Sequence, residues 1–84
     1  MPETKIGEVT HYYGKIGVAI IKLSSALKKG DTIHFVGHST DFSQQVESIQ
    51  FDHKDILEGQ KGQEVGLKAQ EKVREGDEVF LVTE

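Results

Sequence analysis

The sequence predicts an all-β fold, a small six-stranded antiparallel barrel, and three observations carry the prediction. The segment Leu27-Lys-Lys-Gly-Asp-Thr-Ile-His-Phe35 is echoed near the end of the chain by Val73-Arg-Glu-Gly-Asp-Glu-Val-Phe-Leu81. Both read as a tight turn feeding a half-buried strand. Nine glycines punctuate the chain, which suits short strands and leaves no room for a long helix. Apolar positions also change parity within single strands, between Ile6 and Val9 and again between Val46 and Ile49. Such slips demand bulges, and bent strands suit a closed barrel that leaves no exposed edge.

Taken in order, residues 1–4 are a frayed end, and 1–84 form one domain. Lys5 to Tyr13 is a bent first strand with a bulge near Gly7. Gly14 to Gly17 is a short turn, and Val18 to Leu23 returns as the second strand of a hairpin. Gly30 and Asp31 launch the third strand, Thr32 to Gly37, and Phe42 to Phe51 forms the fourth with Val46, Ile49 and Phe51 facing the core. Asp52 to Gly62 reads as a loop over one barrel end, Val65 and Leu67 mark the fifth strand, and Gly76 and Asp77 launch the sixth. Gly30, Gly62, Gly66 and Gly76, with Asp31 and Asp77, are structural positions: glycine accepts positive φ or close packing, and aspartate hydrogen-bonds the local backbone.

Composition removes several kinds of function. The net charge of −4 has the wrong sign for non-specific attachment to phosphate backbones or anionic lipid, so neither DNA nor a membrane is an expected partner. No apolar run approaches the roughly 20 residues of a membrane helix, and no signal segment precedes the domain, so a cytoplasmic setting is expected. Cysteine is absent, which removes thiolate chemistry and cysteine-based metal sites. The absence of asparagine beside plentiful Glu and Lys leans toward a heat-adapted source.

Catalytic signatures are also missing. Gly14 to Gly17 and Gly62 to Gly66 lack the Lys-Ser/Thr continuation of a phosphate-cradling loop. His11, His34, His38 and His53 lack metal-ligand spacing, and no serine sits in a nucleophile elbow. The expectation is a monomeric, non-catalytic chain with no metal and no cofactor. Tyr12, Tyr13 and Phe51 can either stack on bases or pack a barrel rim.

The ordered set of turns resembles a known family. Leu27 to Gly37, Val46-Glu-Ser-Ile-Gln-Phe51, Lys61-Gly62-x-x-Val65-Gly66-Leu67 and Arg74-x-Gly76-Asp77 look like the second domain of translational GTPases such as elongation factor Tu, and like small translation elongation factor-like proteins. The resemblance implies a Greek-key barrel that binds a protein or ribonucleoprotein partner in a translation- or RNA-related complex. Gln50, His53 and Glu64 stand where that family has an acid, an arginine and an asparagine, so transfer-RNA binding does not carry over residue by residue. Similar barrels also end some peptidases and RNA-modifying enzymes as accessory domains. The expected binding rim comprises Tyr12, Tyr13, Gln50, His53, Lys54, Lys61 and Glu64. The alternative is an accessory subunit that docks on a separately encoded enzyme without touching RNA.

Overall fold

The computed structural model describes residues 3–52 and 54–82, and shows ten strands and no helix among them. The strands are β1 (Glu3–Tyr13), β2 (Val18–Leu23), β3 (Leu27–Lys28), β4 (Thr32–Val36), β5 (Asp41–Gln45), β6 (Ile49–Phe51), β7 (Lys54–Ile56), β8 (Glu58–Gly59), β9 (Glu64–Lys68) and β10 (Glu78–Val82). Eight form one antiparallel sheet in the order β5-β4-β10-β1-β2-β9-β6-β7, while β3 and β8 pair as a separate ribbon. The all-β antiparallel expectation holds. The closed six-stranded barrel does not: the sheet is open, with β5 and β7 as its edges.

β1 bends where the parity of its apolar residues required. Its register with β10 shifts between Lys5 and Gly7, and its register with β2 shifts between Val9 and His11. The first bulge lets Ile6 and Val9 both reach the core, each 1% exposed. Glu3 and Thr4, expected to fray, belong to β1, and Glu3 pairs with Val82.

The slip between Val46 and Ile49 has a different origin. The expected fourth strand is two strands, β5 and β6, that lie near opposite ends of the sheet order. Residues 46–48 carry the chain from one to the other, which curls the sheet around a single core of Ile6, Val9, Ile21, Leu23, Leu27, Ile33, Phe35, Ile49, Val65, Leu67 and Val79 among others. Phe51, expected in that core, is 37% exposed beyond the curl. The expected 52–62 loop instead contributes β7 and β8.

Three turns of identical construction hold the strands in place. At the first, the Asp31 N–H donates to the Lys28 carbonyl (3.1 Å) and the Lys28 N–H to Asp31 Oδ2 (2.9 Å). Arg74 and Asp77 repeat the pair at 3.1 and 2.9 Å, and Gln60 and Gln63 repeat it at 3.1 and 2.8 Å. The third residue of each turn is glycine at positive φ: Gly30 at 97°, Gly62 at 89° and Gly76 at 91°. Each turn then docks on one buried residue through two backbone bonds of 2.8 Å. Val46, Leu23 and Val9 each accept from the turn glycine (Gly30, Gly62, Gly76) and donate to the carbonyl of the next residue (Asp31, Gln63, Asp77).

The second of the three turns escapes the sequence pattern because Gln63 replaces the aspartate and Gly59 the leading apolar residue. The Leu23 side chain fills the space a Gly59 side chain would need. No helix is long and apolar enough to cross a membrane among the described residues.

Candidate functional site

The alternation of β1, β2, β9 and β6 places one row of side chains outside the curl. Val18 and Ile20 alternate with buried Ala19 and Ile21 on β2, and Glu64 and Gly66 alternate with buried Val65 and Leu67 on β9. Cross-strand pairs Ile20–Gly66 and Gln50–Gly66 bring β2, β9 and β6 together there. The result is a cleft of about 170 Å³ lined by Val18, Ile20, Gln50, Asp52, Glu64 and Gly66.

Gly66 opens the cleft. A Cβ at this position would lie 3.4 Å from Val18 Cγ1 and 3.5 Å from Ile20 Cδ1, so its absence leaves the two aliphatic side chains bare as a floor. Gly66 is thus a mid-strand residue of β9, not the turn residue expected from sequence. Asp52 lies in the β6–β7 connection at φ 54°, a left-handed conformation that aspartate tolerates better than most side chains. Thr10, the extra residue of the second β1 bulge, holds its hydroxyl 3.3 Å from both Glu64 Oε2 and the Ile20 carbonyl, which share its one proton. Gln50 Nε2 donates to Asp55 Oδ1 at 3.1 Å.

Two of the seven expected rim residues, Gln50 and Glu64, meet in this cleft. Tyr13 flanks it: it is the cross-strand partner of Val18, is 49% exposed, and packs on His11 with ring centroids 4.4 Å apart. Tyr12 packs partly buried against the core instead, opposite Ala19. Lys54 sits on edge strand β7 opposite Phe51, and Lys61 is an exposed residue of the Gln60–Gln63 turn. His53 lies outside the described residues. The sequence reading missed Val18 and Ile20; Asp52 lies within the strand end from Gln50 to Lys54 that it placed in the rim, without being singled out. Val18 and Ile20 sit in an apolar run that conceals which members face outward.

Two other clefts differ in character. One of about 320 Å³ lies along Lys5, Gly7, Glu8, Lys22, Leu23 and Ser24, where charges of both signs alternate and Lys5 already bridges Glu78 at 2.9 Å. Another of about 130 Å³ follows the seam between β5 and the end of β9.

One constellation resembles a catalytic triad and is wired differently. Ser43 is the cross-strand partner of His34, and Asp41 lies two residues before it. His34 Nε2 contacts Asp41 Oδ1 at 2.5 Å while Nδ1 contacts Glu3 at 3.0 Å. Carboxylates occupy both ring nitrogens, and the hydrogen bond that His34 donates to Asp41 foremost holds the His34 pKa above its ordinary value. A general base needs one nitrogen facing the serine hydroxyl, which this arrangement denies. Among the described residues, no group of three His, Cys, Asp or Glu side chains is arranged to hold a metal.

These features define a small curled antiparallel β-domain with one outward cleft of apolar floor and acidic walls. Comparison with known proteins places it more narrowly. The chain is 44% identical over 81 residues to an uncharacterized protease of Methanocaldococcus jannaschii and 31% identical over 80 residues to a collagenase of Porphyromonas gingivalis. These matches cover 95% and 93% of the chain but 20% and 22% of the relatives, so the chain spans about a fifth of their length. Its fold is that of the C-terminal domain of a Geobacillus thermoleovorans protein assigned to the U32 peptidases: the TM-score is 0.90 at 19% identity, over 95% of this chain and 93% of that one. A selenomethionine variant of that domain aligns with a TM-score of 0.85 at 20% identity, over 89% of this chain and 95% of that one. No protein-family model matches the chain.

These relatives overturn the resemblance to elongation factor Tu and the translation- or RNA-related role it implied. The physical reason lies in the residues that carried the resemblance. Gly30, Asp31, Gly62, Gly76 and Asp77 build the docked turns, and Val65 and Leu67 fill the core. They specify this chain path, which is shared with the C-terminal domain of the Geobacillus thermoleovorans protein.

Proposed function

We propose that this chain is a non-catalytic, protease-associated domain that holds polypeptide for a peptidase catalytic unit. The observation that carries the reading is the match of almost the whole chain to about a fifth of two proteins named as a protease and a collagenase. A segment of that size, with its own core and the fold of a separately crystallised C-terminal domain, is an accessory module with the catalytic machinery elsewhere. The engaged imidazole of His34 agrees with this.

The pairing of Glu3 with Val82 adds a geometric argument. A chain continuing beyond either residue leaves from the same end of the sheet. The cleft lies beside Thr10 to Tyr13, toward the other end of the eleven-residue β1. A tether at the paired ends therefore leaves the cleft open to a third party, which favours substrate capture over docking on the catalytic unit.

The test compares the P. gingivalis collagenase with and without its matching segment on gelatin, alongside the present chain alone. The chain alone should leave gelatin intact. Deletion should raise KM with little change in kcat, the mark of lost binding that does not change between ground and transition state. Hydrolysis by the chain, or a deletion that lowers kcat alone, would overturn the proposal.

A further inference from the structure

We propose that the cleft between β2, β9 and β6 holds one arginine or lysine side chain of an extended polypeptide. This rests on the protease-associated reading and specifies what the domain captures.

The size of the cleft sets the first limit. At about 170 Å³ it falls below the roughly 300–1,000 Å³ of a small-molecule site, and it accommodates a single long side chain. Its lining sets the second. Val18, Ile20 and the bare backbone of Gly66 offer an apolar floor, while Glu64 and Asp52 stand at the wall. A side chain that lays an aliphatic stem on the floor and carries its charge outward matches both features, as lysine and arginine do.

Charge complementarity fixes the sign of the occupant. Among the described residues no cation comes within 4.0 Å of Glu64 or Asp52. Lys22, the cross-strand neighbour of Glu64, lines the cleft beside Lys5 instead. Glu64 keeps one carboxylate oxygen beyond its bond from Thr10, and the Gln50 side-chain oxygen accepts no hydrogen bond among the described residues. Half-exposed Tyr13 extends the apolar floor past Val18, so an apolar residue beside the cation has a surface to lie on.

The experiment is an amide NMR titration of the 84-residue chain with three acetylated, amidated pentapeptides, Gly-Leu-X-Leu-Gly, in which X is arginine, norleucine or glutamate. The arginine peptide should shift the amides of Val18, Ile20, Gln50, Glu64 and Gly66. It should bind about fivefold more tightly than the norleucine peptide, the scale of one exposed charge pair, and added salt should erase the difference. Glu64→Gln should abolish the preference while leaving the spectrum otherwise folded, and Gly66→Val should fill the cleft and remove the shifts. Equal binding of all three peptides, shifts confined to another face, or an unchanged preference in Glu64→Gln would overturn the cleft assignment. A collagenase deletion that still raises KM would then leave the accessory role standing, so the two failures are distinguishable.

Discussion

Gln44 bonds the backbone of Gln70 across the seam of the curled sheet: the Gln70 N–H donates to Gln44 Oε1 at 2.7 Å, and Gln44 Nε2 donates to the Lys68 carbonyl at the same distance. A side-chain amide thus joins edge strand β5 to the end of β9. Gln44 is only 7% exposed, and both of its bonds are partly buried.

Replacing Gln44 by leucine should therefore cost about 1–3 kcal/mol, because it orphans a donor and an acceptor together. Gln44→Glu should recover part of the loss, since a carboxylate accepts from Gln70 but cannot donate to Lys68. Urea unfolding midpoints of the three proteins check the ranking.

The docked turns make a second prediction. Nothing lies within 4 Å of a Cβ built on Gly76, so the cost of Gly76→Val arises from its positive φ alone and should be about 1–2 kcal/mol. Gly37→Ala should cost more than conformation explains, because its Cβ would overlap the Asp77 carboxylate. The buried Asp77 side chain would have to abandon the Arg74 N–H, and the turn that docks on Val9 with it. A Gly37→Ala protein with an unchanged midpoint would show that Asp77 contributes nothing to the turn.

The third prediction concerns pH. His34 joins β4 to Glu3 of β1 and Asp41 of β5, and its folded pKa is raised above 6.5 by Asp41, then by Glu3. Below the unfolded pKa both states carry the proton and the pairing contributes in full. As pH rises through the higher folded value, the imidazolium loses a proton, one carboxylate loses its donor, and the contribution disappears. The stability gap between the native sequence and His34→Gln should be widest below the unfolded value of 6.5 and close as pH rises through the higher folded value. Asp41 is 81% exposed, so salt should narrow the gap throughout. A gap that grows with pH would contradict the wiring.

What was legible in the sequence follows from how local each cause is. The Gly30-Asp31 and Gly76-Asp77 turns and the bend in β1 were visible because a turn and a parity slip are written within a few residues. The division of residues 42–51 was not: a break that sends β5 and β6 to distant positions leaves the same parity slip as a bulge. At the Gln60–Gln63 turn only Gly62 was legible: Gln63 and Gly59 hid its kinship with the other two turns, completing the motif only once Leu23 packs against it. For the site, Gln50 and Glu64 were named through the resemblance to elongation factor Tu that the relatives overturn, so their meeting in this cleft was not read from the residues themselves. The floor of Val18 and Ile20 was not legible either, since only the bare backbone of Gly66 on a neighbouring strand exposes it.

The most direct test of the protease-associated role is a graft. The matching 81-residue segment of the M. jannaschii protease is replaced by this chain, and KM for polypeptide cleavage is measured for the intact, deleted and grafted proteins. The account predicts that deletion raises KM and that the graft restores it, with Glu64→Gln in the graft losing part of the recovery on arginine-rich substrates. A deleted protein with unchanged KM, or a graft that fails to restore it while remaining folded, would contradict the account.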